Sequence, residues 1–175
     1  MPPPPEPPVQ KPKDVEEFER QLSLAQQGLA QAQAVVAARF MKGEGCPQNY
    51  GAAFRWAEES ADQGNADGQV VLGALYRCGE GVEADHSKAF ALYSQAAAQG
   101  SKIGQFCLGV AYENGYGVAE DLVQAKKWFQ KADEQGVPNA KEAIERVSEL
   151  LSEIEKKAES KESWWKQKKQ RSKAQ

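Results

Sequence analysis

One histidine and three cysteines in 175 residues, with no Cys-x-x-Cys among them, argue against a Cys/His zinc set. Cys46, Cys78 and Cys107 form an odd number and contain no Cys-x-x-Cys, which argues against a disulfide framework and for a reducing compartment. No run of about 18 apolar residues is present, so no membrane-spanning helix is expected. The first residues, Met-Pro-Pro-Pro-Pro-Glu-Pro-Pro, have neither the charged start nor the apolar stretch of a secretory signal. A cytoplasmic location is the expectation. Proline is scarce outside residues 1–13, which hold seven of the nine and should be an extended, disordered arm. Net charge is only −3, yet the last fifteen residues carry six basic side chains against Glu162 alone, a basic tail on an acidic body.

What the chain has in quantity is self-similarity. Gly43, Gly79 and Gly115 lie 36 residues apart, and Gly45, Gly81 and Gly117 keep the same step. Gln-Gly recurs at 27–28, 63–64, 99–100 and 135–136, and Gln33, Gln69 and Gln105 form a further column. Ala53, Ala89 and Ala125 match, as do the aromatic positions Phe18, Phe54 and Phe90 and Phe40, Tyr76 and Tyr112. A period of this length signals stacked supersecondary units. Within each unit the apolar spacing is helical, Leu72, Gly73 and Tyr76 on one segment and Phe90, Tyr93 and Ala97 on the next, so each unit holds two helices. Asn49, Asp85 and Asp121 stand where a short side-chain oxygen caps the second helix. Glycine after each Gln closes it, and the Gly-x-Gly closes the first. Ala37, Gly73 and Gly109 mark close helix crossings.

These residues resemble the Sel1-like repeat family, α/α solenoids related to tetratricopeptide repeats. The resemblance rests on Leu72-Gly73, Tyr76, Gly79-x-Gly81-Val82, Asp85, Lys88-Ala89, Ala96-Ala97 and Gln99-Gly100, repeated from Leu108-Gly109 to Gln135-Gly136. It implies an all-α, right-handed solenoid of about three units over residues 29–136. Flanking it, 14–28 are expected as an N-terminal capping helix, where Asp14 to Glu17 has capping-box spacing, and 137–160 as a C-terminal capping helix opened by Pro138. Residues 161–175 are the basic, Trp-containing tail. The stripe Ala140, Ile144, Val147, Leu151, Ile154 and Ala158 serves to cover the last repeat. A monomer follows from that reading, and self-association through 140–158 is its alternative.

Local matches to catalytic motifs fail on context. A phosphate-cradling Gly-x-Gly follows a strand, whereas here a helix precedes it. Asp85, His86 and Ser87 are adjacent and fan around a helix start, so they cannot form a relay of hydrogen bonds. Ser163-Trp-Trp-Lys166 has the Ser-x-x-Lys spacing of penicillin-recognising enzymes without their other motifs, which makes a β-lactam hydrolase the least favoured reading. Cys46 shares a column with Val82 and Val118, and Cys107 with Val71, both suited to small apolar packing. No catalytic residue, metal site or cofactor is expected.

The resemblance implies a noncatalytic adaptor. By analogy with tetratricopeptide repeats, the first helices line a concave groove. Its positions are Gln31, Ala34, Ala38, Met41 and Lys42; Asp67, Val70, Ala74, Arg77 and Cys78; and Ile103, Phe106, Val110, Glu113 and Asn114. Met41, Lys42, Val70, Ala74, Arg77, Ile103, Phe106 and Val110 are the candidate contacts to a peptide segment of a protein partner, with Phe106 and Val70 as anchors and Arg77 and Lys42 setting polarity. The rival role for the apolar strip is burial by the C-terminal helix. For the tail, Trp164, Trp165, Lys166, Lys168, Lys169 and Arg171 could contact nucleic acid or an anionic membrane, against the simpler expectation that the tryptophans pack on the body.

Overall fold

The computed structural model describes residues 11–173, which form eight helices and, among the described residues, no strand. The helices are α1 (Lys13–Gln26), α2 (Ala30–Lys42), α3 (Tyr50–Asp62), α4 (Ala66–Cys78), α5 (His86–Ala98), α6 (Lys102–Asn114), α7 (Leu122–Glu134) and α8 (Ala140–Lys173). The proline-rich stretch up to residue 10 lies outside the described residues. Helix pairs α2–α3, α4–α5 and α6–α7 are the three units, each packed on the next through its second helix. First helices also touch one another, α2 with α4 and α4 with α6. That closeness makes them the inner layer of the curve.

The core is a string of clusters along the junctions. Ala37, Ala53, Ala57, Leu72 and Leu75 join the first two units, Ala89, Tyr93, Ala97 and Leu108 the next two, and Ala125, Phe129, Ala143 and Val147 the last unit to α8. Each unit therefore depends on its neighbours alone. Edge-on aromatic pairs repeat at two junctions and at the N-terminal cap: Phe18–Phe40 at 5.1 Å, Phe54–Tyr76 at 5.7 Å and Phe90–Tyr112 at 5.4 Å between ring centroids. The first of these shows α1 acting as the second helix of a half-unit.

The glutamine columns gain a physical meaning. Gln33, Gln69 and Gln105, all buried on the first helices, accept a hydrogen bond from Gln63, Gln99 and Gln135 at 2.7, 2.8 and 2.8 Å. Each donor is the C-cap residue of its unit's second helix, so the ladder fixes where the two helices of a unit end against each other. Replacing Gln69 with Ala should cost about 1–2 kcal/mol, because the Gln99 amide loses a partly buried acceptor. Urea unfolding would read this as a lower midpoint with an unchanged slope.

The Gly-x-Gly loop does two jobs. Gly79 takes a left-handed conformation (φ 71°), and its amide donates to the Leu75 carbonyl, closing α4. Gly81, also left-handed at φ 74°, lies against the Tyr50 carbonyl at the start of α3, where a Cβ would strike backbone. Gly45 and Gly117 stand the same way against Asp14 and His86. The second glycine is thus a contact between units. Asn49, Asp85 and Asp121 each accept a 2.9 Å bond from the amide three residues on, so the first unit's Asn caps as the aspartates do.

At the ends, three local expectations are corrected. The helix α1 begins at Lys13 behind Pro12 and has no side-chain cap, so Asp14 is a first-turn residue and the capping box does not form. Glu17, its supposed partner, instead binds Arg20 and Gln21. Pro138 precedes α8, because Asn139 adopts a positive φ of 66° and interrupts the helical run before Ala140. There is also no break at residue 160. A single helix of 34 residues runs from Ala140 to Lys173 and carries the basic segment with it.

By register, α8 is a fourth first helix. Its column for Gly43, Gly79 and Gly115 holds Leu151, and Glu153 stands where Gly45, Gly81 and Gly117 would. With both stop signals gone, the helix continues. Its face away from α7 carries Glu145, Ser148, Glu149 and Ser152, a polar surface suited to ending a solenoid.

Candidate functional site

The second helices decide what the inner layer can present. Tyr93 of α5 is buried, and its ring lies across α4 at Gly73, where a Cβ would stand 2.7 Å from the ring. Gly109 gives the same passage to Phe129. The corresponding pair in the first unit is Ala37 with Ala57. A large residue on the second helix is matched by glycine on the first, and a small one by alanine. The Tyr93 ring thereby passes through to the inner side, where its hydroxyl meets Arg77.

Between α4 and α6 the inner side holds a cavity of about 220 Å³ lined by Ala74, Arg77, Tyr93, Phe106, Cys107 and Val110. Four of the eight candidate contacts, Ala74, Arg77, Phe106 and Val110, meet there. The other four lie elsewhere. Val70 is half-buried on α4 outside the cavity wall, and Ile103 lines a shallow depression with Gln31, Asn65 and Asp67. Met41 packs against the first junction cluster, and Lys42 is exposed beside Glu44, 3.6 Å away.

Several groove positions are engaged within the chain. Ala34 is buried. Gln31 donates to Asp67 at 2.8 Å. Glu113 is held by Arg146 of α8 in a two-pronged pair at 2.7 and 2.8 Å, and so is not open to a partner. The C-terminal helix claims only one side of the apolar strip. Phe106 packs on Phe129, with ring centroids 5.3 Å apart, and on the cluster around Val137 and Ala140, while its other edge borders the cavity. No residue of α8 lines that cavity.

Sequence reasoning missed Tyr93 and Cys107 as wall residues. Periodicity places Tyr93 at the helix interface, and its hydroxyl, absent from Ala57 and Phe129 in the same column, is the signal that could have found it. Burial pushes the Tyr93 phenol well above its ordinary range. It also pushes the Cys107 thiol up to about 11, partly offset by Arg77, so Cys107 is a neutral wall atom at physiological pH rather than a nucleophile. Cys46 is half-buried beside the Phe18 cluster, and all three cysteines are free.

The motifs set aside on context are occupied structurally. Asp85 caps α5, and His86 stacks on Tyr116 with centroids 5.1 Å apart. Ser163 donates to the Ser160 carbonyl, and Lys166 pairs with Glu162 at 3.1 Å on an exposed helix face. The tryptophans of the tail do not pack on the repeats: Trp164 is 53% and Trp165 58% exposed, with the Lys168 ammonium over both rings. A continuous helix carries them away from the body.

The Sel1 repeat family model matches residues 30–65, 66–101 and 103–137. The chain belongs to the Sel1 repeat family. A Sel1 repeat protein from Oxalobacter formigenes is 37% identical, with 75% of this chain and 98% of that one covered at a TM-score of 0.61. c5321, a protective antigen of uropathogenic Escherichia coli with an SLR fold, is also 37% identical at a TM-score of 0.65, covering 73% of this chain but only 28% of its own length. Helicobacter pylori cysteine rich protein B, at 21% identity and a TM-score of 0.58, shares the fold, covering 75% of this chain and 97% of that one. A search of curated proteins found no match. Sel1 repeat proteins are generally noncatalytic scaffolds for protein–protein interaction, and they usually bind protein partners. Among the described residues no helix is long and apolar enough to cross a membrane.

Proposed function

We propose that this Sel1 repeat chain is an adaptor whose inner face takes a peptide segment of a protein partner, with the cavity between α4 and α6 as the specificity pocket. The observation that supports this reading is the cavity itself. Its apolar walls, Ala74, Phe106 and Val110, suit one aliphatic or aromatic side chain, and Arg77 beside the Tyr93 hydroxyl offers the one charge. A guanidinium at the edge of an apolar pocket selects a carboxylate next to the buried side chain. Val70 and Ile103 extend the apolar contact along α4 and α6, and Met41 and Lys42 lie farther along the inner layer. The peptide would thus carry an apolar residue with an acidic neighbour.

Peptides selected on the intact protein from a random display library should show that pair. Arg77→Glu should invert the charge preference and weaken the selected peptides at least about tenfold, the effect of turning a charge pair into a repulsion. Phe106→Ala also disturbs the packing on Phe129, so Arg77→Glu, on a half-exposed side chain, is the cleaner variant. Unchanged peptide preference in an Arg77→Glu protein with an intact melting profile would sink the reading.

A further inference from the structure

We infer that the free part of α8 pairs antiparallel with the same segment of a second copy of this chain. From Glu153 to Lys166 every side chain is exposed, so the helix leaves the body after Leu151. The segment from Glu153 to Lys173 is roughly 30 Å long at 1.5 Å per residue. A polar helix of this length gains little stability in isolation, since most helical stability in proteins comes from packing an apolar face. Such a face is present. Leu150, Ile154 and Trp165 are 40, 54 and 58% exposed and fall, with Ala158, on one stripe at helical spacing. Leu150 and Ile154 precede Ala158 on this stripe and Trp165 follows it, so an antiparallel crossing at this small residue sets the aliphatic part of each stripe toward the aromatic part of the other.

Charge selects the occupant and its direction. Residues 142–159 hold six glutamates against three basic side chains, whereas residues 161–173 hold six basic residues against Glu162. A parallel copy would place like charge on like charge. An antiparallel copy lays the basic end of each helix along the acidic start of the other. The glutamates at 153, 155 and 159 share the helix with the tryptophans, which disfavours an anionic membrane or nucleic acid along the whole stripe.

Sedimentation velocity of the full chain over a wide concentration range tests this. The expected result is a rise from one-chain to two-chain mass that weakens with salt. Reversing Glu153, Glu155 and Glu159 to Lys together should weaken association at least about tenfold, and so should reversing Lys161, Lys166 and Lys168 to Glu. Mixing the two variants should restore it. Ile154→Asp should also abolish the rise, with the thermal melt of the repeats unchanged because the side chain is exposed. A one-chain mass at every concentration overturns the proposal, as does association indifferent to both reversals. A one-chain protein that instead binds anionic vesicles or RNA overturns it in favour of an anchor. None of these outcomes touches the α4–α6 cavity, so the peptide reading stands or falls separately.

Discussion

Gly81→Ala should remove about 3 kcal/mol of stability, a large fraction of what a single domain has. Two costs add at this position. A non-glycine residue at φ 74° carries roughly 1–2 kcal/mol of local strain. The new methyl group also meets the Tyr50 carbonyl at the start of α3, which as backbone cannot rotate away, so the junction between the first and second units must shift at a further cost of about 1–3 kcal/mol. Gly100→Ala separates the two effects. Gly100 is left-handed at φ 85°, but an added methyl group there would find nothing within 4 Å, so this change should lose only about 1 kcal/mol. Urea unfolding of the two variants side by side should show the larger midpoint drop at Gly81. Equal losses would mean that the second glycine of the loop serves the turn alone.

Phe129→Ala should cost about 3–5 kcal/mol, the range for emptying a fully buried aromatic site. The ring fills the space between Gly109 on α6 and the α8 residues Ala143 and Val147, and it supports Phe106 from behind. The loss therefore falls on the junction that holds α8 to the solenoid. Gly109→Ala alone should also destabilise, because its Cβ would stand 2.7 Å from the Phe129 ring. In the Phe129→Ala background the same change should become neutral or stabilising by up to about 1 kcal/mol, since alanine is the better helix former once the ring is gone. The double variant recreates the Ala37–Ala57 pair of the first unit. Thermal unfolding of the four proteins completes the cycle, and additive losses would refute the size matching of these columns.

The fold is legible in the sequence because it repeats. A single Gly-x-Gly or Gln-Gly would mean little, but the same residues at a step of 36 identify helix ends, caps and crossings together. What the period cannot show are departures from it. Tyr93 stands in a column of apolar residues, so its hydroxyl, and with it the polar corner of the cavity, is masked by the pattern that identifies its helix face. Glu113 belongs to the inner face by register, and Arg146 falls 36 residues after Val110 in that face, but Ala38, Ala74 and Val110 in its column carry no charge, so the period gives no sign of the pair. The extent of α8 escapes for a similar reason. The change in composition near residue 160 suggests a boundary, whereas the helix ends only where a stop residue stands, and Leu151 and Glu153 replace both glycines that would have supplied one.

Because each junction cluster joins only neighbouring pairs of helices, every long-range bond in the repeats reaches back about one period and no farther, as in Gln33 with Gln63 and Gln31 with Asp67. A nascent chain can therefore settle each pair as soon as the following first helix emerges, without waiting for its far end. The hazard of such an order is substitution of one pair for another, since their ladders and caps are interchangeable. Unequal partners such as Ala37–Ala57 and Gly109–Phe129 lie within a unit, so their size matching favours each second helix on its own first helix over that of another unit.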